Sequence, residues 1–257
     1  MPNPHGTFIW YELMTTDTEA SGAFYSDLVG WTRAGFDSSV EGYQIFSAGD
    51  AGVGGMMRLP DGAQANGMRP GWFGYIGVDD VDASVAAITA TGGAVHMPAM
   101  DLEGVGRMAM VADPQGVVFY VMRGTSEQSS NAFDPTKDGH CSWNELSTSD
   151  PAAAIDFYSP LFNWTKGGSM AMGEMGDYQF LDLGGKTFGA VMKSMQGGPP
   201  PAWTFYFRVP DIDAATDRAK AKGANIMHGP AEIPGGDFII VGADPQGATF
   251  ALVGPKK

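Results

Sequence analysis

Two short segments of the chain place an acidic side chain two residues after a tryptophan. Glu12 follows Trp10 and Glu145 follows Trp143, at a common offset (145 − 12 = 133). Alternate residues of a strand share a face, so each carboxylate is predicted to lie beside an indole ring. Desolvation there would raise the pKa of the carboxyl and suit it to acid–base catalysis, or the pair would bind a cation. The alternative is that each tryptophan is a core residue and each glutamate accepts backbone or tyrosine hydrogen bonds.

Tyrosine and arginine side chains supply further candidates for a binding site. Tyr43 and Tyr178 begin equivalent Tyr-Gln pairs on a later strand. Each either places its hydroxyl in a cavity or packs with a solvated tip. Arg107 has Phe238 as its counterpart. A guanidinium in one half only would favour a carboxylate or another anion there, and the alternative is a surface arginine on an edge strand.

The histidines and the cysteine lack the sequence neighbours of a catalytic or metal site. His96 and His228 each precede a proline by two residues, but no other ligand type lies near them, which favours a structural role. His5 and His140 precede the first strands at different offsets. Cys141 begins a strand without an activating neighbour and is predicted to be a buried, unreactive thiol.

Several motifs occur twice, which indicates an internal duplication. The repeated motifs are WYELMTTD at 10–17 and WNELSTSD at 143–150, FY at 24–25 and 157–158, and DPQG at 113–116 and 244–247. A polar, turn-rich stretch lies between the two copies. We therefore predict a first domain over residues 1–123, a linker over 124–139 and a second domain over 140–257.

Each copy divides again into two modules with the order strand, helix and short strands. Asp17, Asp150 and either Asp79 or Asp80 are predicted to cap helices. Predicted strands lie near 7–14, 42–48, 51–58, 72–78, 105–112, 116–122, 202–209, 237–242 and 247–253, and predicted helices at 18–29, 81–91 and 212–222. The whole chain is thus predicted to be an α+β protein of four βαβββ modules.

Composition narrows the classes of partner. The 257 residues include 15 basic and 29 acidic side chains, a net charge of −14, which disfavours nucleic acid and anionic lipid as partners. A single cysteine excludes an intramolecular disulfide or a multi-cysteine metal site. Neither a signal peptide nor a membrane-spanning run is evident, so a cytoplasmic location is expected. The expected assembly is a monomer or a homodimer.

The repeated W-x-E-L-x-T-x-D, F-Y and D-P-Q-G motifs, with V-D-D-V-D-A between them, resemble the vicinal-oxygen-chelate superfamily. That superfamily contains glyoxalase I, bleomycin- and fosfomycin-resistance proteins and extradiol dioxygenases. The resemblance covers nearly the whole chain and is strongest to the tandem, two-domain glyoxalase-like branch. It implies paired modules that form half-barrels with the ligand on the concave side. It also implies one divalent metal held by histidine and glutamate, which polarises substrate oxygens.

The positions that match the family's metal ligands hold other residue types in both halves. These positions are Trp10, Phe73, Tyr120 and, roughly, Gly54 in the first half, and Trp143, Thr204, Ala251 and, roughly, Gly189 in the second. Indole and phenyl groups do not ligate divalent cations. We therefore predict no metal ligands and expect no cofactor, with a divalent metal expected only if this mapping is wrong. The resemblance instead makes the aromatic residues Phe73 and Tyr120 candidate ligand contacts.

Two classes of function follow from these residues. The first is a metal-free binding protein for a cationic or aromatic small molecule, similar to bleomycin-resistance proteins, with ligand contacts from Trp10, Trp143, Tyr43, Tyr178, Phe73, Arg107 and Tyr120. The alternative is an enzyme of the glyoxalase, lyase or dioxygenase type. Such an enzyme would use a metal held by unplaced ligands, with His96, His228, Glu103 and Glu232 in reserve, or a metal-free base, Glu12 or Glu145.

Overall fold

Four modules of the predicted βαβββ type follow one another in a computed structural model, which describes residues 3–36, 40–65, 67–195, 197 and 199–257. The first module comprises β1 (Phe8–Thr15), α1 (Thr18–Val29), β2 (Thr32–Gly35), β3 (Gln44–Ala48) and β4 (Ala51–Arg58). The second comprises β5 (Gly71–Gly77), α2 (Val81–Ala90), β6 (Ala94–Leu102), β7 (Gly106–Ala112) and β8 (Val118–Gly124).

The second half of the chain repeats this order. The third module comprises β9 (Cys141–Thr148), α3 (Pro151–Phe162), β10 (Thr165–Ala171), β11 (Asp177–Leu183) and β12 (Lys186–Lys193), with a short 3-10 turn at Gly173–Met175. The fourth comprises β13 (Ala202–Arg208), α4 (Ile212–Ala221), β14 (Asn225–Glu232), β15 (Phe238–Ala243) and β16 (Thr249–Gly254). The α+β prediction is confirmed, and no helix among the described residues is long and apolar enough to cross a membrane.

Aspartates cap helices α1 to α4 and thereby fix where each preceding strand ends, namely Asp17, Asp80, Asp150 and Asp211. The Asp17 and Asp150 carboxylates accept hydrogen bonds from backbone N–H groups three residues further on, and of the two candidates in the second module Asp80 is the cap. Each cap satisfies amide groups that the first helical turn leaves without an intrahelical partner. Gly30, with a φ of 86°, ends α1 in the left-handed conformation that glycine adopts without steric cost.

The sequence prediction omitted the four outer strands, β2, β6, β10 and β14. Each lies at the edge of a sheet, and its side chains are exposed or half-buried, so the strand lacks the alternation of apolar and polar residues that reveals a strand in sequence. Pro98 within β6 weakens the signal further, although proline is tolerated on an edge strand.

Each repeat contributes one eight-stranded sheet, with the orders β2-β3-β4-β1-β5-β8-β7-β6 and β10-β11-β12-β9-β13-β16-β15-β14. Within the first and third modules, the first strand pairs in parallel with the last. This register places Glu12 beside Gly55 and Glu145 beside Ala190. Paired residues of adjacent strands share a face, so the register fixes what lies next to each carboxylate.

The chain folds into two compact units whose boundaries differ from those of the sequence repeats. One unit comprises Met1–Ile9, Gly74–Ser130 and Asn144–Thr204, and the other comprises Trp10–Phe73, Asn131–Trp143 and Phe205–Lys257. Each unit has an aromatic core. In the first unit the Trp164 ring lies 5.5 Å from Tyr158 and 4.8 Å from Phe188, and in the second Phe207 lies 4.9 Å from both Trp31 and Trp72.

A buried Trp–Tyr–Asp chain crosses each core. In the second unit Trp72 Nε1 donates to the Tyr25 hydroxyl at 3.1 Å, and that hydroxyl donates to Asp244 Oδ2 at 3.0 Å. The first unit repeats the chain with Trp203, Tyr158 and Asp113, at 3.3 and 3.2 Å. Burial raises the pKa of both aspartates and raises the pKa of both tyrosines well above its usual value. These bonds explain why the FY and DPQG motifs both recur.

The aspartate and the glutamine of the first DPQG turn form further hydrogen bonds. Asp113 Oδ1 accepts hydrogen bonds from the backbone N–H groups of Gln115 and Val117, each at 2.9 Å. The Gln115 amide reaches the start of α3, where it donates to the Asp150 carbonyl at 2.9 Å and accepts from the Asp150 N–H at 3.0 Å. The first DPQG turn thus holds the N-terminus of α3, whose capping residue Asp150 lies 35 residues after Gln115.

Candidate functional site

The first repeat assembles Trp10, Glu12 and Tyr43 on one part of the β1–β4–β3 sheet. Trp10 Nε1 donates to the Tyr43 hydroxyl at 2.9 Å. Glu12 is only 4% exposed and lies beside Gly55 in the parallel β1–β4 pair. The strand alternation that predicted an indole and a carboxylate on one face thus also brings in a phenol from the adjoining segment.

Gly55 is the residue that makes room for this arrangement. A Cβ at this position would overlap the Tyr43 hydroxyl and would lie 3.0 Å from Trp10 Nε1. Glycine carries no functional group, so the sequence alone does not mark Gly55 as a site residue. The strand pairing makes Ala190 the equivalent residue of the second repeat.

The second repeat carries the same residue types on the equivalent strands. The Tyr178 hydroxyl donates to Glu145 Oε2 at 2.6 Å, a short bond of the charge-assisted kind. Glu145 is half-buried, whereas Glu12 is buried. The Trp143 ring packs against a buried cluster formed by Tyr206, Ala251 and Val253.

The other predicted ligand contacts lie in three different settings. Phe73 is half-buried on β5. Tyr120 is buried on β8 and stacks on Tyr75, with ring centroids 4.2 Å apart and planes 5° from parallel. Arg107 forms a fork of hydrogen bonds with Asp82, at 2.8 and 2.9 Å, and an ion pair with Asp101 at 3.1 Å. These bonds raise the pKa of Arg107 and occupy its guanidinium at the surface.

The histidines and the cysteine are separated from these groups. His96 and His228 are exposed on the edge strands β6 and β14. His5 Nε2 lies 2.8 Å from the Leu161 carbonyl, and His140 Nδ1 lies 2.5 Å from that of Asn131. Cys141 is fully buried, and burial raises the pKa of its thiol to about 12, which confirms the prediction of a buried thiol.

Comparison with known proteins decides the family. The model of the Glyoxalase/Bleomycin resistance protein/Dioxygenase superfamily matches residues 7–121 and again 139–252. The chain belongs to this superfamily. The resemblance found in the sequence is therefore confirmed, and so is the tandem arrangement of two glyoxalase domains.

Relatives in the superfamily align along almost the full chain. CFP32 of Mycobacterium tuberculosis is 36% identical over 97% of this chain and 95% of its own. That protein is named provisionally as a glyoxylase. The anthracycline biosynthesis protein DnrV of Streptomyces peucetius is 32% identical over 96% of this chain and 93% of its own.

Solved structures of superfamily members share the fold at low sequence identity. The Mn(II)-bound glyoxalase from Novosphingobium aromaticivorans is 19% identical, with a TM-score of 0.63 over 100% of this chain and 83% of its own. A substrate complex of homoprotocatechuate 2,3-dioxygenase from Brevibacterium fuscum is 15% identical, with a TM-score of 0.68 over 99% of this chain and 82% of its own. Metal and small-molecule substrate thus occur among the neighbours of this fold.

The residues at the mapped ligand positions do not fit a metal such as the Mn(II) of that glyoxalase. The register corrects one detail of the mapping: a Cβ at Gly54 would lie 2.7 Å from the Tyr11 carbonyl, so Gly54 faces away from Glu12. Gly55 is the position on the same face as Glu12, and it offers no donor atom either. Trp10 and Tyr120, at two other ligand positions, carry no group that binds a divalent cation well.

The reserve ligands do not form a metal centre. Within residues 3–36, 40–65, 67–195, 197 and 199–257, no group of three or more His, Cys, Asp or Glu side chains is arranged to hold a metal ion. The reserve ligands are all exposed and lie on or next to β6 and β14, namely His96, Glu103, His228 and Glu232. The first repeat instead places Glu12 beside Gly55, where the Tyr43 hydroxyl and Trp10 Nε1 also lie, and the second places the Tyr178 hydroxyl on Glu145.

Proposed function

We propose that this superfamily member binds a small organic molecule without a metal ion, through the carboxylate, indole and phenol of each repeat. A carboxylate attracts a cationic group, and an indole face adds a cation–π interaction with it. The net charge of −14 attracts cationic ligands and repels anionic ones. The ligand class is therefore a small molecule with a cationic or aromatic group.

The observation that carries this proposal is the identity of the residues at the ligand positions. Trp10 is engaged in a hydrogen bond with Tyr43, and Gly55 has no space for a side chain that could replace a metal ligand. The aromatic side chains at these positions suit contact with a ligand, because aromatic side chains commonly line the pockets of small organic molecules. The naming of a relative for anthracycline biosynthesis is consistent with an aromatic ligand.

Metal content and ligand binding test the proposal together. The untagged chain is purified without chelators, and its Mn, Fe, Co, Ni and Zn contents are measured. Binding of benzyltrimethylammonium is then followed by tryptophan fluorescence, with and without EDTA. We expect far less than one metal ion per chain and binding that EDTA leaves unchanged. Near-stoichiometric metal, or binding that is lost with EDTA, would overturn the proposal.

Variants identify which carboxylate holds the cation. Glu12→Gln and Glu145→Gln keep the size of the side chain and remove its charge, so either should weaken benzyltrimethylammonium binding about fivefold if that repeat is the site. Arg107→Gln is the matched control, because Arg107 is bonded to Asp82 and Asp101 at the surface. Unchanged binding in both glutamate variants would contradict the role of the carboxylates.

The hydrogen bond between Tyr178 and Glu145 favours a second candidate, metal-independent acid–base catalysis. In such a reaction Glu145 would accept a proton from a substrate carbon, and the Tyr178 hydroxyl would hold the carboxylate in position. Exchange of the α-protons of dihydroxyacetone into deuterium oxide, measured with EDTA present, tests for this chemistry. Exchange that depends on pH and is lost in Glu145→Gln would support the enzyme, and exchange no faster than in buffer would contradict it.

A further inference from the structure

A surface cavity of about 440 Å³ lies at the end of α1, and we call it the α1 cavity. Four segments of one compact unit form its walls, namely residues 29–30 at the end of α1, 48–49 in the turn between β3 and β4, 137–140 before β9, and 210 before α4. Its volume is within the range of about 300–1,000 Å³ that is typical of small-molecule sites. The residues proposed to bind a ligand beside Glu12 and Glu145 lie outside these segments, so the α1 cavity is a separate site.

The α1 cavity lies on the helix side of the sheet, opposite the face that carries Glu12. Gly55 shares the face of Glu12, whereas a Cβ at Gly54 would lie 3.7 Å from the Trp72 ring. Trp72 Nε1 in turn donates to the hydroxyl of Tyr25, which α1 contributes to the core. The core and α1 are therefore on one side of the sheet and Glu12 is on the other. A ligand at the end of α1 is thus separated from Glu12 by the sheet.

The His140 imidazole lines the α1 cavity with its tautomer fixed. Nδ1 lies 2.5 Å from the Asn131 carbonyl, which only accepts hydrogen bonds, so in the neutral ring Nδ1 carries the proton and Nε2 a lone pair. His140 is 4% exposed, and among the residues that the structure describes Nε2 has no hydrogen-bond partner. In that same part of the chain the fully enclosed side-chain atoms without a partner are Ser26 Oγ and Arg218 Nε, so Nε2 is not sealed off. A donor from a ligand would recover the free energy of this desolvated acceptor.

The ion pairs at the α1 cavity leave one carboxylate in excess. Lys137 pairs with Asp134 at 3.2 Å, and Arg208 pairs with Asp237 at 2.6 Å. Arg208 also approaches Asp138 in the cavity wall, at 3.7 Å. Three carboxylates thus share two cations, and Asp138 is the one held at the longest distance. Together with the net charge of −14, this excess favours a cationic ligand.

A recurring hydrogen bond shows which residues of the two compact units correspond at this place. Trp31 Nε1 donates to the Gly139 carbonyl at 2.7 Å, and Trp164 Nε1 donates to the Gly6 carbonyl at 2.8 Å. Both donors and both acceptors are separated by the offset of the duplication (164 − 31 = 133, 139 − 6 = 133). The residues on either side of Gly139 can therefore be compared with those around Gly6.

The other unit holds an imidazole ring of its own at the equivalent place. His5 lies against the end of α3, with Nε2 2.8 Å from the Leu161 carbonyl and its ring centroid 6.2 Å from that of Phe162. The counterpart of Phe162, 133 residues earlier, lines the α1 cavity. The counterpart of His5 is Asp138, which has no ring. One unit thus fills with its own side chain a place that the other leaves open beside His140.

We propose that the α1 cavity binds a planar organic cation with N–H donors, of the amidinium type, as a second ligand site of the chain. One N–H donates to His140 Nε2, and another donates to the Asp138 carboxylate in a charge-assisted hydrogen bond. The Leu28 carbonyl, the counterpart of Leu161, already accepts from Arg218 Nη2 at 3.4 Å, which leaves the two side chains as the acceptors. This site goes beyond the proposed function, because it uses neither glutamate.

NMR of the uniformly 15N-labelled full chain tests the site directly. The chain is titrated with benzamidinium and, separately, with benzyltrimethylammonium, which has a similar ring and the same charge but no N–H donor. We expect benzamidinium to move the His140 Nε2 resonance upfield, because that nitrogen accepts a hydrogen bond. The amide signals of Gly49 and Gly139 in the cavity walls should give an affinity about tenfold higher for benzamidinium than for benzyltrimethylammonium.

Two variants remove the site by different routes. His140→Asn keeps an N–H that can donate to the Asn131 carbonyl and lacks Nε2, so benzamidinium binding at Gly139 should weaken about tenfold. Asp138→His installs the residue type that the other unit holds at this position, and its ring should occupy the cavity and weaken binding about tenfold. Glu12→Gln is the control, and it should leave the shifts of Gly139 unchanged.

Three results would overturn the inference. The first is a His140 Nε2 resonance that does not move at high benzamidinium concentration, and the second is equal affinity for the two cations at Gly139. The third is unchanged binding in both His140→Asn and Asp138→His. None of them bears on the proposed function, which fails instead if benzyltrimethylammonium binding depends on metal or ignores both glutamates.

Discussion

The two repeats carry the same residue types around each glutamate and differ in how deeply the carboxylate is buried. In the first, Glu12 is buried, and the Tyr43 hydroxyl accepts a hydrogen bond from Trp10 Nε1. In the second, Glu145 is half-buried, and its Oε2 accepts a hydrogen bond from the Tyr178 hydroxyl. Duplication therefore preserved the strands and the residue types, while the burial of the carboxylate changed. A motif that recurs in sequence fixes where a side chain starts and leaves open how deeply it is buried.

The small residue beside each glutamate differs by one methyl group. Gly55 and Ala190 occupy equivalent register positions beside the two glutamates. A Cβ at Gly55 would overlap the Tyr43 hydroxyl, so the phenol rests there only because the residue is glycine. Ala190 carries that methyl group, and in its repeat the Tyr178 hydroxyl donates to Glu145. The comparison between the repeats therefore includes a position that carries no functional group.

The largest expected effects concern the Trp–Tyr–Asp chain, which the two units share. Tyr25→Phe leaves Trp72 Nε1 and Asp244 Oδ2 without their hydroxyl partner in a buried site, and should lower the free energy of unfolding by about 3 kcal/mol. Tyr158→Phe should cost less, because its bonds are longer, at 3.3 and 3.2 Å. Urea unfolding of both variants measures the difference, and a larger loss in Tyr158→Phe would contradict it.

Sequence reasoning predicted local features of this molecule well and long-range partners poorly. The caps Asp17 and Asp150 follow from neighbouring residues, and so does the shared face of Trp10 and Glu12. The bond from Tyr25 to Asp244 joins residues 219 positions apart, so no local pattern could reveal it. Motif recurrence marked both residues as important without showing that they meet.

The tyrosine hydroxyls near the two glutamates should differ in their effect on stability. Tyr178→Phe removes a short bond to a carboxylate and should cost about 1.5 kcal/mol. Tyr43→Phe removes a neutral bond from Trp10 Nε1 and should cost about 1 kcal/mol. Thermal unfolding of the two variants compares these losses. Equal losses would mean that the charge of Glu145 adds nothing to its bond with Tyr178.

Exchanging the small residues beside the glutamates tests the effect of the additional methyl group. Gly55→Ala displaces the Tyr43 ring and removes its bond to Trp10, at a cost of about 1 kcal/mol, because the tip of a side chain can move aside. The Trp10 fluorescence should change as that bond is lost. Ala190→Gly is the reciprocal variant and should leave Trp10 unaffected. Unchanged fluorescence in Gly55→Ala would show that the methyl group does not decide the arrangement.

The smallest expected effect is a pH dependence that the two buried aspartates share. Burial raises the pKa of Asp113 and Asp244 above the ordinary value of 3.8, so folding favours their protonated forms. Their contribution to stability is therefore complete below about pH 3.8 and is lost as the pH rises through the higher pKa of the folded state. Asn replaces the carboxyl by a neutral group of the same shape and removes this dependence.

Asp113→Asn and Asp244→Asn are best compared with the wild type by urea unfolding between pH 3 and pH 7. The stability of the wild type relative to each variant should fall as the pH rises. The direction should be the same in both units, because burial raises the pKa of both aspartates. A relative stability that rises with pH would mean that the bonds from tyrosine and backbone outweigh burial. Opposite signs at the two aspartates would show that the two units hold their buried carboxyl groups differently.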